Sequence, residues 1–164
     1  MVEQAKEQAV EAVSRLYFFM LSDAYREFRE TEVRWECYAA SQYHFDDGVK
    51  FILEAVQTET PVDHPVWTLY SEKVAEIGAR VAQAEQRKLE MLAALKAVHQ
   101  AFVRFCGAKH LDPAKVAGLD NALPARVLEI LKEESTDASG TVADEAYRLL
   151  VREWDKNMPV GKAG

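Results

Sequence analysis

Residues 67–105 read WTLYSEKVAEIGARVAQAEQRKLEMLAALKAVHQAFVRF, and this stretch decides the fold. Alternate steps of three and four from Trp67 land on Tyr70, Val74, Ile77, Val81, Ala84, Lys88, Met91, Leu95, Val98, Phe102 and Phe105. Lys88 is the only polar residue in the series. An apolar repeat averaging 3.5 residues keeps one seam of a helix against a partner with left-handed supercoiling. No Pro interrupts the run, and Gly78 alone lowers its helix propensity. At 1.5 Å per residue the helix would extend about 58 Å.

The segment before it follows the same rule. Val10, Val13, Tyr17, Met20 and Ala24 alternate by three and four, Phe28 comes after a stutter, and Thr31, Trp35, Tyr38, Gln42 and Phe45 resume the series. This predicts one long helix from Glu3 to about Phe45, ended by the turn-forming cluster Asp46-Asp47-Gly48. Val49–Val56 forms two further helical turns, and residues 58–65 connect the two long helices. Asp112-Pro113 reads as an N-cap followed by a first helical residue, with Gly107 ending the helix before it. Short helices are expected at 113–118, 123–134 and 141–156. Residues 1–157 then form one helical domain, and 158–164 a tail with little to bury. The fold class is all-α: a long antiparallel helical hairpin with shorter C-terminal helices packed on it, an elongated relative of the four-helix bundle.

Bulk properties exclude several functions. Seven Gly and five Pro in 164 residues are too few for a hairpin-rich β protein. The net charge of −7 argues against nucleic acid as the main partner. The longest apolar run is Leu16–Leu21, far short of the roughly 20 residues that cross a bilayer. Glu3, Glu7 and Glu11 stand where a secretory signal carries bases, which predicts a cytoplasmic location. Cys37 and Cys106 form no CxxC pair and read as buried, reduced thiols.

Candidate chemistry is sparse. The residues three before each histidine are Ser41, Pro61, Lys96 and Gly107, so no Glu-x-x-His metal motif exists. Cys37 with His44, and His99 with Cys106, are each seven apart, about 10.5 Å along a helix, which is too far for one zinc ion. His44, Asp46, Asp47, Asp63 and His64 flank the connector and suit a divalent cation if brought together, while the same Asp residues suit helix capping. No GxSxG, GxGxxG or phosphate loop occurs, and no cofactor is expected.

Arg104-Phe-Cys-Gly-Ala-Lys-His110 has an Arg, five intervening residues and a His. This spacing resembles the motif of the HEPN helical-bundle ribonucleases. That resemblance implies an RNA-cleaving role for Arg104 and His110, with the pair doubled across a dimer. It covers about 25 residues, including Leu111–Val116 and Asn121–Pro124. Phe105 stands where members often carry a polar residue.

Leu16-Tyr-Phe-Phe-Met-Leu21 is apolar on nearly every side, so more than one neighbour must cover it. Trp35, Tyr38, Trp67 and Tyr70 lie where only two helices are expected to pack. Exposed apolar surface of this kind finds partners. The leading functional expectation is therefore a non-enzymatic interaction or assembly protein, a homodimer with an unidentified protein partner. Its surface would include Phe18, Phe19, Leu21, Tyr25, Trp35, Tyr38, Trp67 and Tyr70. The alternatives are an enzyme at the Arg104/His110 pair or the connector carboxylates, and a small-molecule-binding bundle with a cavity under Leu16–Leu21. Lys88 is expected to face about residue 22, where its amine either snorkels out to water along its four-carbon stem or meets a carboxylate, with Asp23 the candidate; that pairing would fix the helix register.

Overall fold

The computed structural model describes residues 2–56, 63–117, 124–132 and 140–158, with the side chains of 48–56 and 117 excepted. Of the described residues 94% are helical and none is in a strand. Five helices follow in order: α1 (Val2–Val56), α2 (Pro65–Ala108), α3 (Pro113–Ala117), α4 (Ala125–Lys132) and α5 (Gly140–Asn157). The all-α expectation holds. Among the described residues, no helix is long and apolar enough to cross a membrane.

The first helix does not stop at Phe45. It runs through Asp46, Asp47 and Gly48 to Val56, absorbing the two turns expected to stand apart. One interior Gly costs only about 1 kcal/mol relative to Ala, too little to end a helix by itself. The predicted connector 58–65 and the predicted tail fall largely outside the described residues, as do 118–123 and 133–139.

Helix ends obey local chemistry. His64 precedes α2, its Nδ1 accepting from Val66 N at 3.1 Å while its carbonyl accepts from Trp67 N at 3.1 Å. Pro65 then takes the first helical position, where its missing N–H costs nothing. Asp112 caps α3 as expected, with Oδ1 accepting from Ala114 N at 3.1 Å and its carbonyl accepting from Val116 N at 3.0 Å. The end of α2 differs from expectation. His110, not Gly107, adopts the left-handed backbone, with φ of 57°. Leu111 N donates to Cys106 O at 2.8 Å and His110 N to Gly107 O at 3.2 Å. These two bonds form a Schellman cap, and Leu111 completes it by packing on the core.

The chain divides into two compact units, Met1–Phe28 with Met91–Gly164, and Arg29–Glu90. In the first, α1 and α2 are joined by α3, α4 and α5 around one core. Tyr17, Leu21, Leu95, Phe102, Phe105, Val127 and Leu150 are buried there together. Tyr17 stacks on Phe102 with centroids 3.8 Å apart and planes 4° from parallel. Phe105 meets Trp154 edge-on at 5.7 Å. From Ala9 to Leu21 each fully buried residue of α1 lies four after the last: Ala9, Val13, Tyr17, Leu21. Steps of four rotate the buried face around the helix by about 40° each, so α1 presents a broad arc and not a narrow seam.

The second unit contains only parts of α1 and α2, running antiparallel. Phe45 stacks near Tyr70 at 6.3 Å, and the Lys88 amine lies 3.7 Å from the Trp35 ring centroid. Ala84 and Glu32 are the only buried residues described there. These pairings centre the hairpin near residue 60, not the expected 55, because α1 continues beyond Phe45.

Candidate functional site

The seam residues of α2 build both units as its sequence pattern dictates. All twelve, Trp67 to Phe105, are buried or half-buried. Lys88 lies on the seam as expected, but its partner differs. It covers the Trp35 ring, while Asp23 accepts from Arg26 at 2.8 Å on its own helix. The shifted hairpin centre explains the change, since it brings the thirties of α1 and not Asp23 to the level of Lys88. Trp35 Nε1 is buried without an acceptor among the described residues.

The expected interaction residues divide into three groups. Phe19 is 69% exposed and Phe18 39%, on the face of α1 turned away from the core, and Tyr38 is 36% exposed. Tyr25, Trp35, Trp67 and Tyr70 are half-buried; Tyr25 sits 6.4 Å from Phe28. Leu21 is fully buried and cannot contact a partner. It takes the core position because the steps of four carry the buried face of α1 onto residue 21, leaving Met20 at the margin.

Several residues of the two catalytic alternatives have structural roles. Arg104 reaches α5, 3.5 Å from Asp144 and 4.2 Å from the centre of the Tyr147 ring. His110 is the left-handed residue of the Schellman cap, a structural position for a residue that tolerates positive φ. The pair that resembles the nuclease motif thus takes part in helix packing and helix termination. Around the connector, His44 meets Tyr43 edge-on at 5.7 Å and His64 caps α2. Among the described residues, no three His, Cys, Asp or Glu side chains gather as metal ligands. Under Leu16–Leu21 the Tyr17 ring stacks on Phe102, and Phe105 is buried in the same core.

Two constellations were not read from sequence. The first is in the five-helix core, where Tyr17 Oη and His99 Nδ1 are 2.7 Å apart. Burial holds the His99 pKa below its usual value, which favours the neutral ring hydrogen-bonded to the phenol. Burial, and then the nearby Cys106, push the Tyr17 phenol above its ordinary range. Cys106 itself is pushed up to about 11, chiefly by burial and secondarily by Asp112. This is a neutral, satisfied cluster, and an inert thiol. Cys37, expected to be buried too, is exposed.

The second is a cleft of about 330 Å³ within Arg29–Glu90. Thr31, Arg34 and Tyr38 line it from α1; Arg80, Gln83, Ala84 and Arg87 line it from α2. Arg80 and Arg87 repeat at seven residues beside the α2 seam, which puts them on one helix face two turns apart. That interval was legible. What it faces was not, because Arg34 comes from a segment some 46 residues earlier.

No family model, no curated protein and no solved structure matches this chain. What defines it is therefore its own geometry: an all-α protein with a five-helix core and an arginine-lined cleft in a two-helix unit.

Proposed function

We propose that this chain is a non-enzymatic helical interaction protein that assembles with a second copy of itself through the α1 face carrying Phe18 and Phe19. The observation that carries this reading is the exposure of these two adjacent rings, on a helix whose opposite face enters the core. Removing a phenylalanine side chain from water contributes about 1.5–3 kcal/mol, and a two-fold interface counts each ring twice.

The helical positions between the two rings are polar. Arg15 is paired with Glu11, and Arg26 with Asp23 at 2.8 Å. Both pairs lie within α1, so a second copy docking there meets matched charge around aromatic anchors, the common anatomy of an interface. The cytoplasm is the compartment this reading expects, with protein and not nucleic acid as the partner.

Sedimentation velocity at micromolar concentration tests it. The expected species has twice the 18.5 kDa chain mass. The double substitution Phe18→Ser and Phe19→Ser should return a monomer with unchanged helical circular dichroism. A wild-type monomer overturns self-association, and a dimer that survives the double substitution overturns this surface.

A further inference from the structure

The cleft in the two-helix unit is lined by charge where a supercoiled pair usually closes on apolar side chains. We propose that it binds the phosphate chain of a small molecule, a di- or triphosphate, between Arg34, Arg80 and Arg87. Each guanidinium is a planar fork that matches two phosphate oxygens at once, and such charge-assisted pairs are the strong hydrogen bonds of anion recognition. Tyr38, Gln83 and Thr31 add neutral hydrogen-bonding groups on the same walls. Ala84 is buried and small, which leaves the floor between the arginines unfilled.

The arrangement favours more than one phosphate. Arg80 and Arg87 are two helical turns apart, about 10.5 Å along the axis, and Arg34 comes from the facing helix. A single phosphate is short for that span, whereas a phosphate chain presents oxygens along it. An acidic peptide fits less well. The cleft volume is that of a small-molecule site, and Tyr38 and Ala84 are the only apolar surfaces with which the walls could anchor a helix.

Local charge points the same way. The chain carries −7 overall, yet this cleft gathers three arginines. Glu76 lies 2.9 Å from Arg80 and Glu90 lies 3.4 Å from Arg87, both exposed pairs along α2. Arg34 has no carboxylate partner among the described residues. Exposed pairs along one helix are weak, so both glutamates yield readily to a multivalent anion.

The test is calorimetric titration of the full chain with sodium tripolyphosphate, adenosine triphosphate, orthophosphate and poly-glutamate at one fixed ionic strength. Saturable binding of tripolyphosphate is expected, tighter than orthophosphate. Equal binding of adenosine triphosphate assigns the chain to a nucleotide source, and its failure assigns it to inorganic polyphosphate; either supports the site. Arg34→Gln, Arg80→Gln and Arg87→Gln should each weaken binding by about tenfold or more. Arg152→Gln, on an exposed part of α5, should leave it unchanged. All three cleft arginines are exposed, and unchanged helical circular dichroism will confirm that their variants fold. Three results overturn the proposal: no phosphate compound binding at millimolar concentration, binding indifferent to the three cleft substitutions, or poly-glutamate binding as tightly as tripolyphosphate.

Discussion

The two compact units use the same pair of helices and reach very different interiors. Around Tyr17 and Phe102, five helices enclose a core in which rings stack and a phenol meets an imidazole. Among the described residues of Arg29–Glu90 only α1 and α2 are present, and burial is limited to Ala84 and Glu32. Two helices cover one stripe each, so their flanks remain wet; three more helices are needed to close a core. The contrast teaches that an unbroken seam specifies a pair of helices but not how deeply each level is buried. Stability accumulates where α4 and α5 dock, and polar surface is left where they do not.

Large-to-small substitution should expose the contrast most strongly. Phe102 is fully buried and stacked on Tyr17, so Phe102→Ala should cost about 3–5 kcal/mol, the usual range for a core phenylalanine. Ile77 occupies an equivalent seam position in the other unit but is only half-buried. Ile77→Ala should cost less than half as much. Urea unfolding of both variants checks this, and equal losses would mean that the two-helix unit is as tightly packed as the five-helix core.

The buried phenol and its half-buried imidazole partner give a smaller and pH-dependent effect. Tyr17→Phe removes the partner of His99 Nδ1 and should cost about 1–3 kcal/mol at pH 8. Because burial lowers the folded-state pKa of His99, the unfolded chain binds the extra proton first as the solution is acidified. Stability from this group is complete above the ordinary histidine range, near 6.5, and falls as pH drops from there toward the folded-state value. His99→Gln should flatten that part of the wild-type profile between pH 7 and 5.5. A profile unchanged by this substitution would place the acid sensitivity elsewhere.

How much of this was legible follows from the range of each interaction. The twelve α2 seam positions, the Asp112 cap and the absence of strands among the described residues depend on neighbours within a few residues, and the sequence pattern carries them. Where α1 ends depends on whether a single Gly outweighs the apolar stretch beyond it, and composition alone favoured a turn. Every cross-helix pairing inherits that decision. Tyr17 and His99 are 82 residues apart, and Arg34 faces Arg80 only after the hairpin has closed. His110 looked like half of a catalytic spacing because a left-handed histidine is not written in a sequence, whereas Gly107, the obvious choice for the cap, sits inside the helix.

The smallest effect tests that register directly. With the Lys88 amine over Trp35, Lys88→Met keeps most of the aliphatic stem and loses a cation–π contact of about 0.5–1 kcal/mol. For a chain of this length that lowers Tm by about 1–4 °C. Asp23→Ala should change Tm by less than a degree, because Asp23 is exposed and pairs with Arg26 along α1. A Lys88–Asp23 bridge requires the reverse order. In that arrangement the lysine would be rescued from desolvation by replacement with Met, and removing Asp23 would strand a buried charge. A double-mutant cycle decides between them. Lys88→Met with Trp35→Leu should show coupling of about 0.5–1 kcal/mol, and Lys88→Met with Asp23→Ala none. Coupling found only in the second cycle would move the hairpin centre back toward residue 55, and with it the facing of Arg34 on Arg80 and Arg87.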